Sequence, residues 1–227
     1  NSQNFFQNSD IFGNNVLLLH SRLSIFDLSQ SGNQPFFIKN YTIVYNGEIY
    51  NFKELRLILI KKGIKLKSNT DTEVLLHFFI IYGKKCLDFF EGMWSFVIFD
   101  TKKKTFFISR DRFGEKPLYY YQDSSGFYFG SEINYIKNFL DTKLKINEHQ
   151  LEKYLRLGYK SLNKNNETFY QNLKIFPKST FVHQKDLSNL YFANYWKLEY
   201  KPNKKINNSE IIAESKKLLI DSVGLRL

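Results

Sequence analysis

The sequence predicts an α+β fold in which antiparallel sheets are sandwiched between helices. Three observations lead there. Consecutive strand-like runs are joined by tight polar turns, so they pair as hairpins. Helix-like segments are grouped between those runs and do not alternate with each of them. The segment 93–99 is apolar on both of its faces, so a strand there has to be covered from two sides.

Taken in order, VLLLH (16–20), FFI (36–38) and YTIVY (41–45) are apolar or β-rich runs bounded by Gly, Asn or Pro. Asn51 then stands as a helix N-cap, with Glu54 three positions on and Leu55, Ile58 and Leu59 along one helical face. Gly63 ends that helix. A second helix starts at Thr70, where Glu73 completes a capping box, and runs through Leu75, Leu76 and Phe79 to Gly83. After Gly92 the period changes to two. Met93, Ser95, Val97 and Phe99 share one face, while Trp94, Phe96 and Ile98 share the other. A turn over 100–105 leads into TFFIS, and PLYYY and GFYFG form a second hairpin around 122–125. Beyond 140 the pattern loosens, with a polar loop at 160–166 and short strands over 177–197. KPNKKINN (201–208) is the expected linker, and from Ser209 onward Ile211, Ile212, Leu218, Leu219 and Val223 lie at helical spacing. The expected organisation is one domain over 1–200, the linker, and the first helix of a further domain over 209–227.

Composition narrows the function classes. The 227 residues are 43% hydrophobic and 18% aromatic, ample for a packed core. No apolar run approaches the roughly 20 residues of a membrane span, and NSQNFFQNSD does not read as a signal peptide. A membrane partner is therefore not expected. The one cysteine, Cys86, excludes an internal disulfide framework and fits a reducing cytoplasm; its setting, KKCLDFF, is that of a buried structural thiol. The net charge of +11 invites a nucleic-acid reading. Most of it is lysine dispersed through the chain, the clusters at 102–104 and 204–205 flank turns, and no nucleic-acid motif accompanies them. A basic binding module remains the outsider.

Three segments carry chemistry: HSRLSIFD (20–27), YNGEIYN (45–51) and SNTDTEV (68–74). Alone, an Asn-Gly marks a turn, an aspartate in a first helical turn serves the helix dipole, and an arginine sits at the surface. In this chain they are followed by EGMWSFVIFD (91–100), SRDRFGEKPLYYY (109–121), FGSEI (129–133), YLRLGY (154–159), TFYQNLKIFPKST (168–180) and YWKL (195–198). In that order and spacing the chain resembles, over essentially its whole length, the N-terminal amidotransferase domain of the glutamine-hydrolysing asparagine synthetases.

The resemblance implies an N-terminal-nucleophile-hydrolase-like αββα sandwich, incomplete at its N-terminus. In that family an N-terminal cysteine attacks the side-chain amide of glutamine, and its own α-amino group serves as base. Acyl transfer of this kind develops an oxyanion that needs fixed donors, and these map onto the Asn46 side chain and the Gly47 backbone N–H. Arg22 maps onto the fork for the substrate α-carboxylate, with Leu23, Ser24, Ile25 and Phe26 as the wall beside it. Asp71, helped by Glu48, maps onto the acceptor of the α-ammonium. The implied partners are L-glutamine and the chain's own C-terminal synthetase domain, with a homodimer left open. No metal or cofactor is expected in this segment; ATP and Mg belong to the synthetase domain, where ammonia would meet activated aspartate.

Two departures from the family pattern stand out. No Cys-Gly-Ile start precedes the first strand, and no Ser-Gly-Gly-Leu-Asp-Ser loop follows LLIDSVGLRL (218–227). The expectation is a fragment lacking both ends. Two relatives of the leading reading stay open: an enzyme amidating another carboxylate, such as a sugar acid in polysaccharide synthesis, and a β-lactam-synthetase-like domain without glutaminase activity. The 227-residue chain is expected to release no ammonia from glutamine, because neither the thiolate nor its α-amino base is present. Ammonia release above a buffer blank, abolished by thiol alkylation, overturns this.

Overall fold

The computed structural model describes residues 2–22, 32–161, 165–202 and 207–226. The chain opens with β1 (Ser2–Ser9), β2 (Asn15–Arg22), β3 (Phe36–Ile38) and β4 (Tyr41–Ile49), then α1 (Phe52–Lys61) and α2 (Asp71–Tyr82). A 3-10 turn over Gly83–Asp88 leads to β5 (Gly92–Asp100), β6 (Thr105–Arg110), β7 (Tyr119–Asp123) and β8 (Gly126–Gly130). There follow α3 (Ile133–Lys137), α4 (Glu148–Leu157), β9 (Leu173–Ile175), β10 (Thr180–Gln184), β11 (Ala193–Asn194) and α5 (Asn208–Gly224).

The two-faced pattern of 93–99 has the consequence it requires. β5 lies inside a six-stranded antiparallel sheet of order β11-β10-β6-β5-β4-β3. Trp94, Phe96 and Ile98 join Ile43, Tyr45, Ile49 and Phe107 on one face, against Leu55 and Leu59 of α1, Val74, Leu75 and Phe78 of α2, and Cys86 and Leu87 of the 3-10 turn. Val97 and Phe99 join Val44, Ile108 and Val182 on the other face, against Leu118, Phe176 and the Val16 and Leu18 pair of β2. The three-stranded sheet β8-β7-β9 forms the next layer. Its far side packs Tyr121 and Leu173 on Ile136 of α3. The layers thus run helix, sheet, sheet, helix, as expected. No helix among the described residues is long and apolar enough to cross a membrane.

Several local expectations are corrected. β1 was not anticipated: its polar residues hide a strand that pairs with β2 from Ser2 opposite Arg22 to Ser9 opposite Asn15, and Phe6 packs on Phe37 and Phe99. Asn51 stands at the N-cap position of α1 but makes no capping bond. Its amide instead donates to the Phe89 carbonyl at 2.9 Å and accepts from Glu91 N–H at 3.0 Å, pinning the entrance of β5. Thr70 does cap α2, yet Glu73 does not complete the box. Its carboxylate turns back to the N–H groups of Lys67 and Ser68 and to the Ser68 hydroxyl, and the two Ser68 donors are out of water. The box that does form is at α5, between Asn207 and Glu210, and α5 buries none of its residues.

The stretch SRDRFG owes its order to two side chains. Asp111 is fully buried, and its Oδ1 accepts from the N–H groups of Phe113, Gly114 and Glu115 at 3.0, 2.6 and 2.9 Å. Its Oδ2 accepts from Lys116 N–H at 3.0 Å and Trp94 N–H at 3.3 Å. Arg110 completes the loop by donating to the carbonyls of Gly114, Lys116 and Phe176. Asp111→Ala leaves five backbone donors without this acceptor and is expected to cost about 3 kcal/mol or more, with Asp111→Asn falling between it and the parent. A urea midpoint for Asp111→Ala within error of the parent removes the loop's dependence on this carboxylate.

Candidate functional site

Antiparallel pairing makes the backbone of successive residues point alternately towards and away from a given neighbour. At the end of β4 this alternation decides which N–H groups are available. Trp94 of β5, opposite Gly47, gives its carbonyl and its N–H to Asp111 instead, at 2.9 and 3.3 Å. Gly47 therefore turns its N–H away from β5, as do its neighbours of equal parity, Tyr45 and Ile49. β3 is too short to reach them, since its register ends at Phe36 opposite Ile43. The Gln34 side-chain amide takes the place of a strand at Tyr45, accepting its N–H at 2.6 Å and donating to its carbonyl at 3.1 Å. Ile49 N–H goes to Asp71 Oδ2 at 3.1 Å. Between these two satisfied donors lies Gly47 N–H, which meets no acceptor among the described residues.

Glycine at 47 has a steric cause in the protein itself. A Cβ there would lie 2.3 Å from the Met93 carbonyl oxygen and 2.6 Å from the Tyr45 ring, so no side chain fits before any substrate is considered. Asn46, on the opposite face of β4, donates from Nδ2 to the Ser131 hydroxyl at 3.0 Å. One of its two amide protons is thereby fixed on the loop after β8, and the amide has a second to give.

Asp71 is the first residue of α2, where the helix N-terminus favours negative charge. Its Oδ2 accepts from the Tyr45 hydroxyl at 2.8 Å as well as from Ile49. Burial pushes its carboxyl above the usual range and outweighs these hydrogen bonds. No ion pair to Asp71 forms among the described residues. Glu48 is half-buried; burial and then the Asp71 charge push it up, against Lys116 and Arg226, which pull it down. The end of β4 thus sets two raised carboxyls beside neutral donors.

Asn46, Gly47, Glu48 and Asp71 are brought together as expected. Arg22 is the last residue of β2, and His20, two positions earlier, donates from Nε2 to the Tyr45 carbonyl at 3.2 Å. The Arg22 side chain, and Leu23, Ser24, Ile25 and Phe26 entirely, lie outside the described residues. Cys86 is fully buried and its thiol is pushed far up by burial, so it is no nucleophile. Sequence reasoning missed Gln34, Tyr45 and Ser131. Tyr45 and Ser131 stood inside flagged motifs without being singled out; Gln34 had no signal beyond a turn.

A half-buried carboxylate with no cation beside it among the described residues weakens the empty fold. Because the Asp71 carboxyl is raised, the destabilisation is full above its folded pKa and disappears below the ordinary carboxylate range. Asp71→Asn keeps an oxygen for Tyr45 and Ile49 while removing the charge. It is expected to stabilise the ligand-free chain by about 1 kcal/mol at pH 8 and by nothing at pH 3. A lower melting temperature for the variant at pH 8 contradicts this account.

Comparisons with known proteins identify the family. A glutamine amidotransferase domain family matches residues 7–196. Asparagine synthetase (glutamine-hydrolysing) 3 of Bacillus subtilis is 35% identical over 196 residues, covering 84% of this chain and 31% of its own length. Asparagine synthetase (glutamine-hydrolysing) 1 of the same organism is 30% identical over 208 residues, covering 91% and 32%. The chain thus spans about a third of the length of these curated relatives. Among solved structures, the glutamine phosphoribosylpyrophosphate amidotransferase of B. subtilis superposes with a TM-score of 0.54 at 17% identity, covering 81% of this chain and 35% of that one, which establishes a shared fold. With the family matched over most of its length, this chain belongs to the glutamine amidotransferase domains.

Proposed function

We propose that this chain is the glutamine-binding part of a glutamine-hydrolysing asparagine synthetase. The observation that carries the reading is the Gly47 N–H, left without an acceptor between Gln34 and Asp71 and one residue from the Asn46 amide. In this reading those two donors receive the oxyanion that forms when the substrate amide is attacked. Asp71, with Glu48 beside it, takes the α-ammonium of L-glutamine, and this cation relieves the buried charge. Arg22 takes the α-carboxylate, with Leu23, Ser24, Ile25 and Phe26 as the adjoining wall. The nucleophile is the family's N-terminal cysteine, with its α-amino group as base; this chain does not contain it.

The rest of the reaction belongs to a synthetase domain. ATP and Mg would activate aspartate there, and ammonia released at Gly47 would be consumed. Residues 1–200 form the glutaminase part, 201–208 a linker, and 209–227 the first helix of the synthetase part. Exposed Ile212, Leu219 and Val223 on α5 support that division, since an isolated helix presenting apolar side chains to water lacks its packing partner. The cytoplasm, where thiols stay reduced, is the compartment that fits.

The test uses the full-length enzyme carrying the cysteine and compares two nitrogen donors. Asn46→Ala is expected to lower glutamine-supported kcat by roughly 10²–10³-fold with little change in KM, and to leave ammonia-supported asparagine formation intact. Equal loss with both donors means that Asn46 acts on the fold and not on the oxyanion. Failure to form asparagine from aspartate with either donor refutes the choice of acceptor.

A further inference from the structure

We propose that Tyr45 is a specificity-determining positioning residue: it holds the Asp71 carboxylate in place for an α-ammonium group, and so sets the preference for an amino acid over its des-amino analogue. This rests on the reading of Asp71 given above. The Tyr45 hydroxyl is 2.8 Å from Asp71 Oδ2 and donates to it, since an ionised carboxylate can only accept. Burial, and then the Asp71 charge, push the phenol well above its ordinary range, so it stays a neutral donor wherever Asp71 is ionised.

The ring has little freedom to do anything else. It is 4% exposed and lies on the helix-facing side of β4. Gly47 presses on it, because a Cβ there would come within 2.6 Å of its Cε2. Its own backbone is clamped on the open edge by the Gln34 amide and by His20. The same Gln34 Nε2 lies 3.5 Å from Thr72 Oγ1 in the first turn of α2, which ties the strand to the helix that bears Asp71. Tyr45 and Ile49 N–H both act on Oδ2, and the backbone N–H groups of Asp71 and Thr72 in the first turn of α2 also favour the ionised carboxylate. With donors from the strand and from the helix the carboxylate plane is fixed, and a cation meets it by charge. One phenol thereby links the glycine of the oxyanion site to the acceptor of the ammonium.

The test is a ligand-by-variant comparison on the full-length enzyme, its N-terminal cysteine replaced by alanine so that L-glutamine is bound and not hydrolysed, by calorimetric titration with L-glutamine and with glutaramate, which keeps the carboxylate and the amide but lacks the α-amino group. Tyr45→Phe removes one oxygen and retains the ring against Gly47. It is expected to weaken L-glutamine binding about tenfold and leave glutaramate binding unchanged. In an Asp71→Asn background, which keeps the acceptor oxygen and loses the charge, Tyr45→Phe is expected to add no further loss for L-glutamine. Equal weakening of both ligands, no weakening of either, or an undiminished further loss in the Asp71→Asn background overturns the role of Tyr45. A parent chain that binds L-glutamine no better than glutaramate removes the Asp71 reading, and this proposal with it. A parent that prefers L-glutamine, with a Tyr45→Phe variant that does so equally, removes this proposal alone.

Discussion

The pairing of β4 with β5 is the constraint on which the other parts depend. Nine residues of each strand are in register, from Tyr41 opposite Asp100 to Ile49 opposite Gly92. Both faces of this ladder are buried, one by α1 and α2 and one by the second sheet. A slip of one residue would exchange the two apolar sets and place Asn46 and Glu48 against the helices. Glycine reinforces the register at its end: Gly92, at φ +152°, lies so close to the Glu48 carbonyl that a Cβ would come within 2.0 Å of that oxygen. The site is therefore fixed by the same contacts that fix the core.

The site itself is made where the pairing of β3 with β4 runs out. A sheet edge normally presents a row of unpaired donors and acceptors. Here Gln34 and Asp71 cover that row at Tyr45 and Ile49 with side chains, and leave the middle donor bare. Leaving this N–H bare thus needs no strained backbone at Gly47, only the absence of a neighbouring strand and of a side chain. The loop held by Arg110 and Asp111 closes the other side, drawing both backbone groups of Trp94 away from Gly47.

Asp71 carries an electrostatic cost. Its carboxylate is held by neutral donors at the start of a helix and is raised by burial, an arrangement that weakens the empty protein at neutral pH and that a nearby cation would relieve. Cys86 illustrates the opposite case. It too is buried, but as an uncharged thiol among Leu87 and Phe90 it needs no partner and contributes as an apolar group.

What the sequence determined by itself was the alternation and the motifs. Period two over 93–99 required a doubly covered strand, and the hairpin turns at 100–105 and 122–125 required antiparallel neighbours, because both follow from local backbone geometry. The order of the motifs placed Asn46, Gly47, Glu48 and Asp71 in one family pattern. Tertiary structure alone decided how those residues are held. Asn51 and Glu73 have the right types and spacing for caps, yet their side chains serve Phe89, Glu91, Lys67 and Ser68, because folding sets the entrance of β5 beside Asn51 and turns the backbone of 67–68 towards Glu73. The strand at 2–9 carries too few apolar residues to announce itself and forms on β2 as its neighbour. Gln34 standing in for a strand, Ser131 on the Asn46 amide and Tyr45 on Asp71 are contacts across 11, 85 and 26 positions of sequence, which no local periodicity encodes.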